Sequence, residues 1–174
     1  MNTQFNYKMS LNTYRKMVYF NMFYANRVKN IIIVLVWMIM TVFLVLDIMG
    51  IITPTRIMHL SFLMVSLSMP VLIISLEMKI RQIKDNEYFN RKRTVVFSDD
   101  GMDFFLDSNT KKRMHNSWDD VYLLYETNSL FIIFKDKINS IPVEKKGTEK
   151  GEVNNVREEL IKRLGPRYIF AKWI

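Results

Sequence analysis

The stretch 31-IIIVLVWMIMTVFLVLDIMGII-52 decides the fold, because a domain of this size cannot cover so long an apolar helix on every side. Sixteen uncharged residues precede Asp47, and the apolar run resumes after it. A bilayer core about 30 Å thick needs roughly 20 helical residues, so this run is long enough to cross one. It starts too late and is too long for a cleaved signal peptide, and it lacks a small-residue cleavage pattern. The sequence therefore predicts a retained membrane span.

A second apolar run follows at once, 57-IMHLSFLMVSLSMPVLIISL-76, and its twenty residues include no Asp, Glu, Lys or Arg. The link between the runs, 50-GIITPTR-56, is short, and Gly50 and Pro54 are typical turn residues. A short link forces the two helices to run antiparallel. We therefore expect a transmembrane helical hairpin over residues 31–76.

Polar residues inside the spans suggest packing rather than transport. Three serines recur every seven residues along one stripe of the second helix: Ser61, Ser68 and Ser75. Small hydroxyl side chains let helices approach closely, so we expect this stripe to pack against the first span or a second copy of the chain. Pro70 predicts a kink in the same helix. Asp47 and His59 lie near the link, where they reach the interface, so we expect a structural role over an ion pathway.

Basic residues flank the spans, and this asymmetry sets the expected topology. The net charge is +8 and the mean hydropathy +0.01, but residues 94–174 carry thirteen charges of each sign. The basic residues nearest the spans are Arg27, Lys29, Lys79, Arg81, Lys84, Arg91, Lys92 and Arg93. The positive-inside rule predicts a two-span protein of the cell membrane with both termini in the cytoplasm. The same residues can attract anionic lipid. A nucleic-acid binder would carry its basic excess on the folded domain, so nucleic acid is not an expected partner.

The chain divides by pattern into four segments: 1–30, 31–76, 77–93 and 94–174. The first is an amino-terminal strand and a juxtamembrane helix. Its stretch 2-NTQFNYKMS-10 alternates, as in a half-buried strand, and should join a sheet of the carboxyl-terminal domain. Residues 11–30 interleave aromatic and basic side chains, which favours an interfacial helix. Residues 77–93 read as a basic helical connector out of the membrane.

Residues 94–174 predict an α+β cytoplasmic domain. Its expected strands are Thr94–Ser98, Met102–Leu106, Lys111–Asn116, Val121–Thr127, Leu130–Lys135 and Ile138–Val143. Asp99-Asp100-Gly101 signals a tight hairpin turn, and 107-DSNT-110 a second turn. A helix over residues 148–165 closes this small antiparallel sheet, with Val153, Val156, Leu160, Ile161 and Leu164 as its apolar stripe. Gly165-Pro166 is expected to end it. The tail 167-RYIFAKWI-174 fits either an edge strand or the membrane interface.

Three motifs occur in order in this domain: 97-FSDDGMDF-104, 116-NSWDDVYLLYETNSLFIIFK-135 and the pair Ile141-Pro142. Together with the two preceding spans, they resemble the YcxB-like family of bacterial membrane proteins, and the resemblance covers almost the whole chain. Its structural signature falls on Gly101, Trp118 and Pro142. The resemblance implies a pleckstrin-homology-like cytoplasmic domain, and it carries over no catalytic residues.

The stretch 115-HNSWDD-120 contains the residue types of a hydrolase triad. On a strand, however, His115, Ser117 and Asp119 share one face and point in parallel, so they are poorly placed to bond in series. The aspartates of the domain lack the spacing of a calcium loop. The absence of cysteine and the presence of two histidines leave little for a metal site. We expect no catalytic site, metal or cofactor. Trp118 is interpreted as a core anchor, with a ligand-stacking platform as the alternative.

These patterns favour a non-enzymatic integral membrane protein that presents its cytoplasmic domain to a protein or a lipid headgroup. An immunity or stress-protection role is one version of this hypothesis. The expected partners are the bilayer, an unknown protein or headgroup, and a second copy of the chain. The alternative is a membrane enzyme or small transporter whose site the patterns do not reveal. Transport would require polar residues deep in the spans, where the sequence places only serines.

Overall fold

The structure, a computed structural model, describes residues 2–24, 27–86, 91–106, 113–137, 139–148 and 150–172. The predicted turn 107-DSNT-110 lies outside the described residues. So do parts of the predicted interfacial helix (25–26), connector (87–90), strands (111–112 and 138), closing helix (149) and tail (173–174). The chain forms two compact units. One combines Met1–Met17 with Lys84–Ile174, and the other is Val18–Ile83.

The unit Val18–Ile83 contains the two apolar helices, α2 (Arg27–Ile48) and α3 (Arg56–Gln82). They follow α1 (Leu11–Tyr19) and a π-helical turn, Phe20–Tyr24. Both α2 and α3 are long and apolar enough to cross a membrane. Most of their apolar side chains are exposed, because within this unit each helix contacts mainly the other. The predicted hairpin is thus present, with Gly50 in the left-handed region (φ 71°) in its link.

A polar contact joins the two long helices near their middle. Pro70 lies within α3 and cannot donate a backbone hydrogen bond to the carbonyl of Ser66, one turn earlier. The indole Nε1 of Trp37 in α2 donates to that carbonyl at 3.0 Å. Phe43 and Phe62 stack beside it, with ring centroids 5.6 Å apart. The helix α3 therefore continues through its proline, because the neighbouring helix satisfies the carbonyl that the proline leaves free.

The other unit is built on two sheets, each of four strands within the described residues. The first has the antiparallel order β1-β2-β3-β4, with β1 (Thr3–Lys8), β2 (Lys92–Phe97), β3 (Gly101–Leu106) and β4 (Arg113–Ser117). In β1, Thr3, Phe5 and Tyr7 are buried, whereas their neighbours are exposed. This confirms both the predicted alternation and the predicted addition of the amino-terminal strand to the sheet.

The second sheet has the order β7-β6-β5-β8. Its strands are β5 (Leu123–Glu126), β6 (Leu130–Phe134), β7 (Ser140–Glu144) and β8 (Tyr168–Phe170), and α4 (Lys150–Leu164) precedes β8. The expected single antiparallel sheet is thus wrong in two respects. The strands form two sheets, and β8 pairs with β5 in parallel. A parallel pair needs a long crossover, which α4 supplies. The tail is therefore an edge strand over residues 168–170.

The core of this unit is aromatic between the sheets and aliphatic beneath α4. Phe5 and Phe97 of the first sheet lie 5.2 Å apart by ring centroids, and Phe131 of the second lies within 6.4 Å of both. The buried residues of α4 are Val153, Val156, Leu160 and Leu164. Ile161, predicted in the same stripe, is 47 % exposed. At about 100° per residue it lies beyond the edge of the stripe that the other four form.

Candidate functional site

A basic groove lies where β1 ends and β2 begins. Its volume is about 390 Å³, and its lining residues, which we call the strand-end groove, are Asn6, Tyr7, Lys8, Lys92, Arg93 and Thr94. Lys8 and Lys92 are exposed and directly opposite in the antiparallel register, as are Tyr7 and Arg93. Neither lysine forms an ion pair with any described residue. Like charges placed opposite each other repel, so this groove favours a bound anion.

The inner side of the strand-end groove is held by buried contacts. The hydroxyl of Tyr7 donates to the carbonyl oxygen of Pro142 in β7 at 2.5 Å. Burial raises the pKa of Tyr7 well above its ordinary value, although the positive charge of Arg93 opposes this. Arg93 Nη1 also lies 3.6 Å from the Met9 sulfur. Because side chains alternate along a strand, Tyr7 and Arg93 point to the opposite face of the sheet from Lys8 and Lys92. These contacts therefore fix the paired strand ends on which the two lysines stand.

Two of the eight predicted membrane-facing basic residues, Lys92 and Arg93, therefore line this groove. Arg91 precedes β2 and is exposed. The others belong to the apolar helices and the turn that follows them: Arg27 and Lys29 in the first turn of α2, Lys79 and Arg81 in the last turns of α3, and Lys84 in a 3-10 turn. Sequence reasoning missed Lys8. The alternation of β1 indicates that Lys8 is exposed, but it does not indicate which strand pairs with β1 or which residue lies opposite Lys8.

The residues of 115-HNSWDD-120 contact partners other than one another. His115 Nδ1 lies 2.8 Å from a carboxylate oxygen of Asp103 on the neighbouring strand. Arg113 binds both oxygens of that carboxylate at 2.8 Å. These hydrogen bonds, those from Arg113 foremost, hold the pKa of Asp103 below its ordinary value despite its burial. Ser117 instead caps a short 3-10 turn by accepting from the backbone N–H of Asp119. No described contact joins His115 to Ser117 or Asp119.

The three signature residues have structural contacts. Trp118 is buried, its ring lies 5.7 Å from that of Phe97, and its Nε1 donates to the Ser98 carbonyl at 3.0 Å. Gly101 faces β4 so closely that a Cβ there would lie 2.2 Å from the Asn116 carbonyl oxygen. Glycine is therefore needed at this position because the backbones of β3 and β4 approach closely, and not for the turn geometry that the sequence suggested. Pro142 accepts the Tyr7 hydrogen bond described above.

The serine stripe of α3 does not contact α2. Ser61, Ser68 and Ser75 are exposed, and each hydroxyl donates to a carbonyl of its own helix. The face toward α2 holds Phe62 and Ser66, which lie more than about 100° around the helix from the stripe. Packing of the stripe against a second copy stays a prediction. Near the link, His59 Nδ1 and the Asp47 carboxylate bond to each other.

A buried ionic cluster surrounds Glu126, the last residue of β5, whose side chain is fully buried. Lys145 Nζ and Arg157 Nη2 each lie 2.5 Å from its Oε1. The Tyr168 hydroxyl donates to its other carboxylate oxygen. Burial alone would raise the pKa of Glu126, but the hydrogen bonds from Arg157 and Lys145 outweigh it and leave that pKa lowered. Burial lowers the pKa of Lys145, although Glu126 opposes this.

Sequence reasoning missed this cluster. The signal was a single glutamate in an otherwise apolar strand, but its partners come from three later segments of the chain. Within the described residues, no three His, Cys, Asp or Glu side chains lie close enough together to hold a metal ion.

Comparisons with known proteins returned no match: no family model, no curated protein and no solved structure matches the chain.

Proposed function

We propose that this protein is held in the cell membrane by its helical hairpin and binds an anionic lipid headgroup in the strand-end groove. Both termini then lie in the cytoplasm, and the folded unit acts as a non-enzymatic binding module. The observation that carries the proposal is the facing pair Lys8 and Lys92, two exposed ammonium groups without an ion-pair partner in the described chain. A phosphate-bearing headgroup would neutralise their repulsion.

Connectivity supports a lipid as the ligand. Lys8 is the last residue of β1, after which the chain continues through α1 toward the first apolar helix. Lys92 is the first residue of β2 and follows the end of the second apolar helix, at Gln82, by ten residues. Each basic side chain near an anionic leaflet contributes about 1 kcal/mol. The ends of both lysine-bearing strands are therefore connected along the chain to the helices that would span the bilayer.

The two-sheet unit closed by α4 is consistent with the pleckstrin-homology-like fold implied by the YcxB-like resemblance. Such a fold supplies no ligand by itself, so the proposal rests on the groove. The immunity or stress-protection role stays a prediction, as does the alternative of a membrane enzyme or small transporter.

Lipid retention by the detergent-purified full chain tests the proposal. The protein is incubated with mixed micelles of equal phosphatidylglycerol and phosphatidylcholine, and bound lipid is counted by native mass spectrometry. We expect selective retention of phosphatidylglycerol, reduced about thirtyfold by the double substitution Lys8→Gln and Lys92→Gln, because two charges worth about 1 kcal/mol each are removed.

The matched control is Lys137→Gln with Lys162→Gln, which removes the same charge from exposed sites elsewhere in the unit. Equal lipid retention by the two double variants would refute the headgroup site. Loss of a co-purified protein in the groove variant, with lipid retention unchanged, would assign the groove to a protein partner instead.

A further inference from the structure

A second cavity, of about 440 Å³, lies beside the buried Glu126 cluster. Its lining residues, which we call the helix groove, are Asn128, Ser129, Lys145, Lys146, Thr148, Val153, Asn154 and Arg157. They come from the turn between β5 and β6, the segment after β7, and the first turns of α4. Among them only Val153 has a wholly apolar side chain, and the other seven each carry a group that can hydrogen-bond.

Positive charge exceeds negative charge at this groove. Lys145 and Arg157 share the single carboxylate of Glu126, which lies beneath the lining and is fully buried. Lys146 is exposed at the rim and makes no ion pair with a described residue. Glu152 also lies near the rim, where it accepts a hydrogen bond from Thr148. Three cationic side chains therefore line the groove, and one buried carboxylate pairs with two of them.

The cationic groups are held in place before any ligand binds. Lys145 Nζ also donates to the Thr127 carbonyl at 2.5 Å and lies 4.9 Å from the centre of the Phe131 ring. Arg157 Nη1 donates to Asn154 Oδ1 at 2.9 Å, while its Nε and Nη2 bind Glu126. Side chains that are already ordered lose little entropy on binding, so a ligand gains most of their interaction energy.

We propose that the helix groove is a second anion site, which takes a phosphate-type oxyanion independently of the strand-end groove. Such an anion offers several acceptor oxygens, which match the ammonium groups of Lys145 and Lys146, the Arg157 edge and the Ser129 hydroxyl. The oxyanion comes either from a free phosphate compound or from a lipid headgroup.

The test uses the detergent-purified full chain and two probes, inorganic pyrophosphate and nanodiscs of either phosphatidylglycerol or phosphatidylcholine. Pyrophosphate binding is measured by isothermal titration calorimetry at constant ionic strength, with chloride as the reference anion. The variant is Lys146→Gln, whose exposed side chain makes no described contact that folding requires. The control is Lys137→Gln.

We expect pyrophosphate to bind and Lys146→Gln to weaken that binding about tenfold, because a charge-assisted hydrogen bond is lost. Lys137→Gln and the strand-end variant Lys8→Gln with Lys92→Gln should leave it unchanged. If Lys146→Gln lowers affinity only for phosphatidylglycerol nanodiscs, the site holds and its ligand is a headgroup. The proposal fails if neither probe binds above its reference, or if Lys146→Gln and Lys137→Gln behave alike.

Discussion

Glu126 is a fully buried carboxylate that contacts several separate segments of the folded unit. Burying a carboxylate costs several kcal/mol, and only close, well-formed partners offset that cost. Lys145, Arg157 and Tyr168 supply them, from the segment after β7, from α4 and from β8. One carboxylate thereby connects the end of β5 to three later parts of the chain, and two of its partners, Lys145 and Arg157, also line the helix groove.

Substitution Glu126→Gln should therefore destabilise the folded unit strongly. The amide keeps the shape of the carboxylate but leaves the nearly buried Lys145 and the partly exposed Arg157 without a counter-charge, a loss of about 3 kcal/mol. For a unit of this size we expect the melting temperature to fall by about 10 °C, measured by near-ultraviolet circular dichroism of the full chain in detergent. Glu158→Gln, at an exposed position of α4, removes the same charge and should shift it by about 2 °C or less. Similar shifts for both variants would contradict the assigned role of Glu126.

At the scale of the element, α3 illustrates how a proline is tolerated within a long apolar helix. Pro70 leaves the Ser66 carbonyl without its usual donor, and Trp37 of α2 provides another at 3.0 Å. In an apolar environment a carbonyl without a hydrogen-bond donor costs free energy, so this hydrogen bond also stabilises the contact between the two helices. The serines that the sequence suggested for helix packing lie on a different face of the same helix.

A double-mutant cycle between Trp37→Phe and Pro70→Ala measures this contact. We expect Trp37→Phe alone to cost about 1 kcal/mol of hairpin stability, measured by unfolding the full chain in mixed micelles. In the Pro70→Ala background the cost should shrink, because that chain has a backbone N–H that can bond to the Ser66 carbonyl. Strictly additive costs would show that the indole does not compensate for the proline.

For the whole molecule, the distribution of charge predicts its orientation. The basic residues lie at both outer flanks of the hairpin, whereas the link carries Arg56 alone. From this asymmetry the positive-inside rule predicts that the link lies outside the cell and the folded unit in the cytoplasm. This orientation is also what the proposed headgroup site requires, because the cytoplasmic leaflet carries anionic lipid.

The absence of cysteine makes the orientation easy to measure, since any introduced thiol is unique. Thr53→Cys places a thiol in the exposed link, and Asn155→Cys places one on the exposed side of α4. In intact cells a membrane-impermeant maleimide should label the Thr53→Cys variant and not the Asn155→Cys variant. After lysis it should label both variants. The reverse pattern would invert the topology, and labelling of both in intact cells would exclude a membrane-spanning hairpin.

Local patterns predicted most of the elements but few of the contacts between distant ones. The alternation of β1, the hairpin turn before Gly101 and the stop at Gly165-Pro166 were visible because each depends on neighbouring residues. The glycine φ of 51° at Gly165 agrees with its predicted role at the end of α4. The two-sheet arrangement, the parallel pairing of β8 and the partner of Lys8 were not visible, because they depend on residues far apart in the chain.

The sequence by itself determined that two helices of this chain are long and apolar enough to span a membrane, because length and hydropathy are properties of a single segment. It also determined where strands and turns occur, because side-chain alternation and turn residues act locally. Only the tertiary structure decided that Lys8 faces Lys92, that His115 pairs with Asp103, and that Glu126 gathers two cations. Those contacts arise from strand register and crossover, which bring together residues that no local pattern relates.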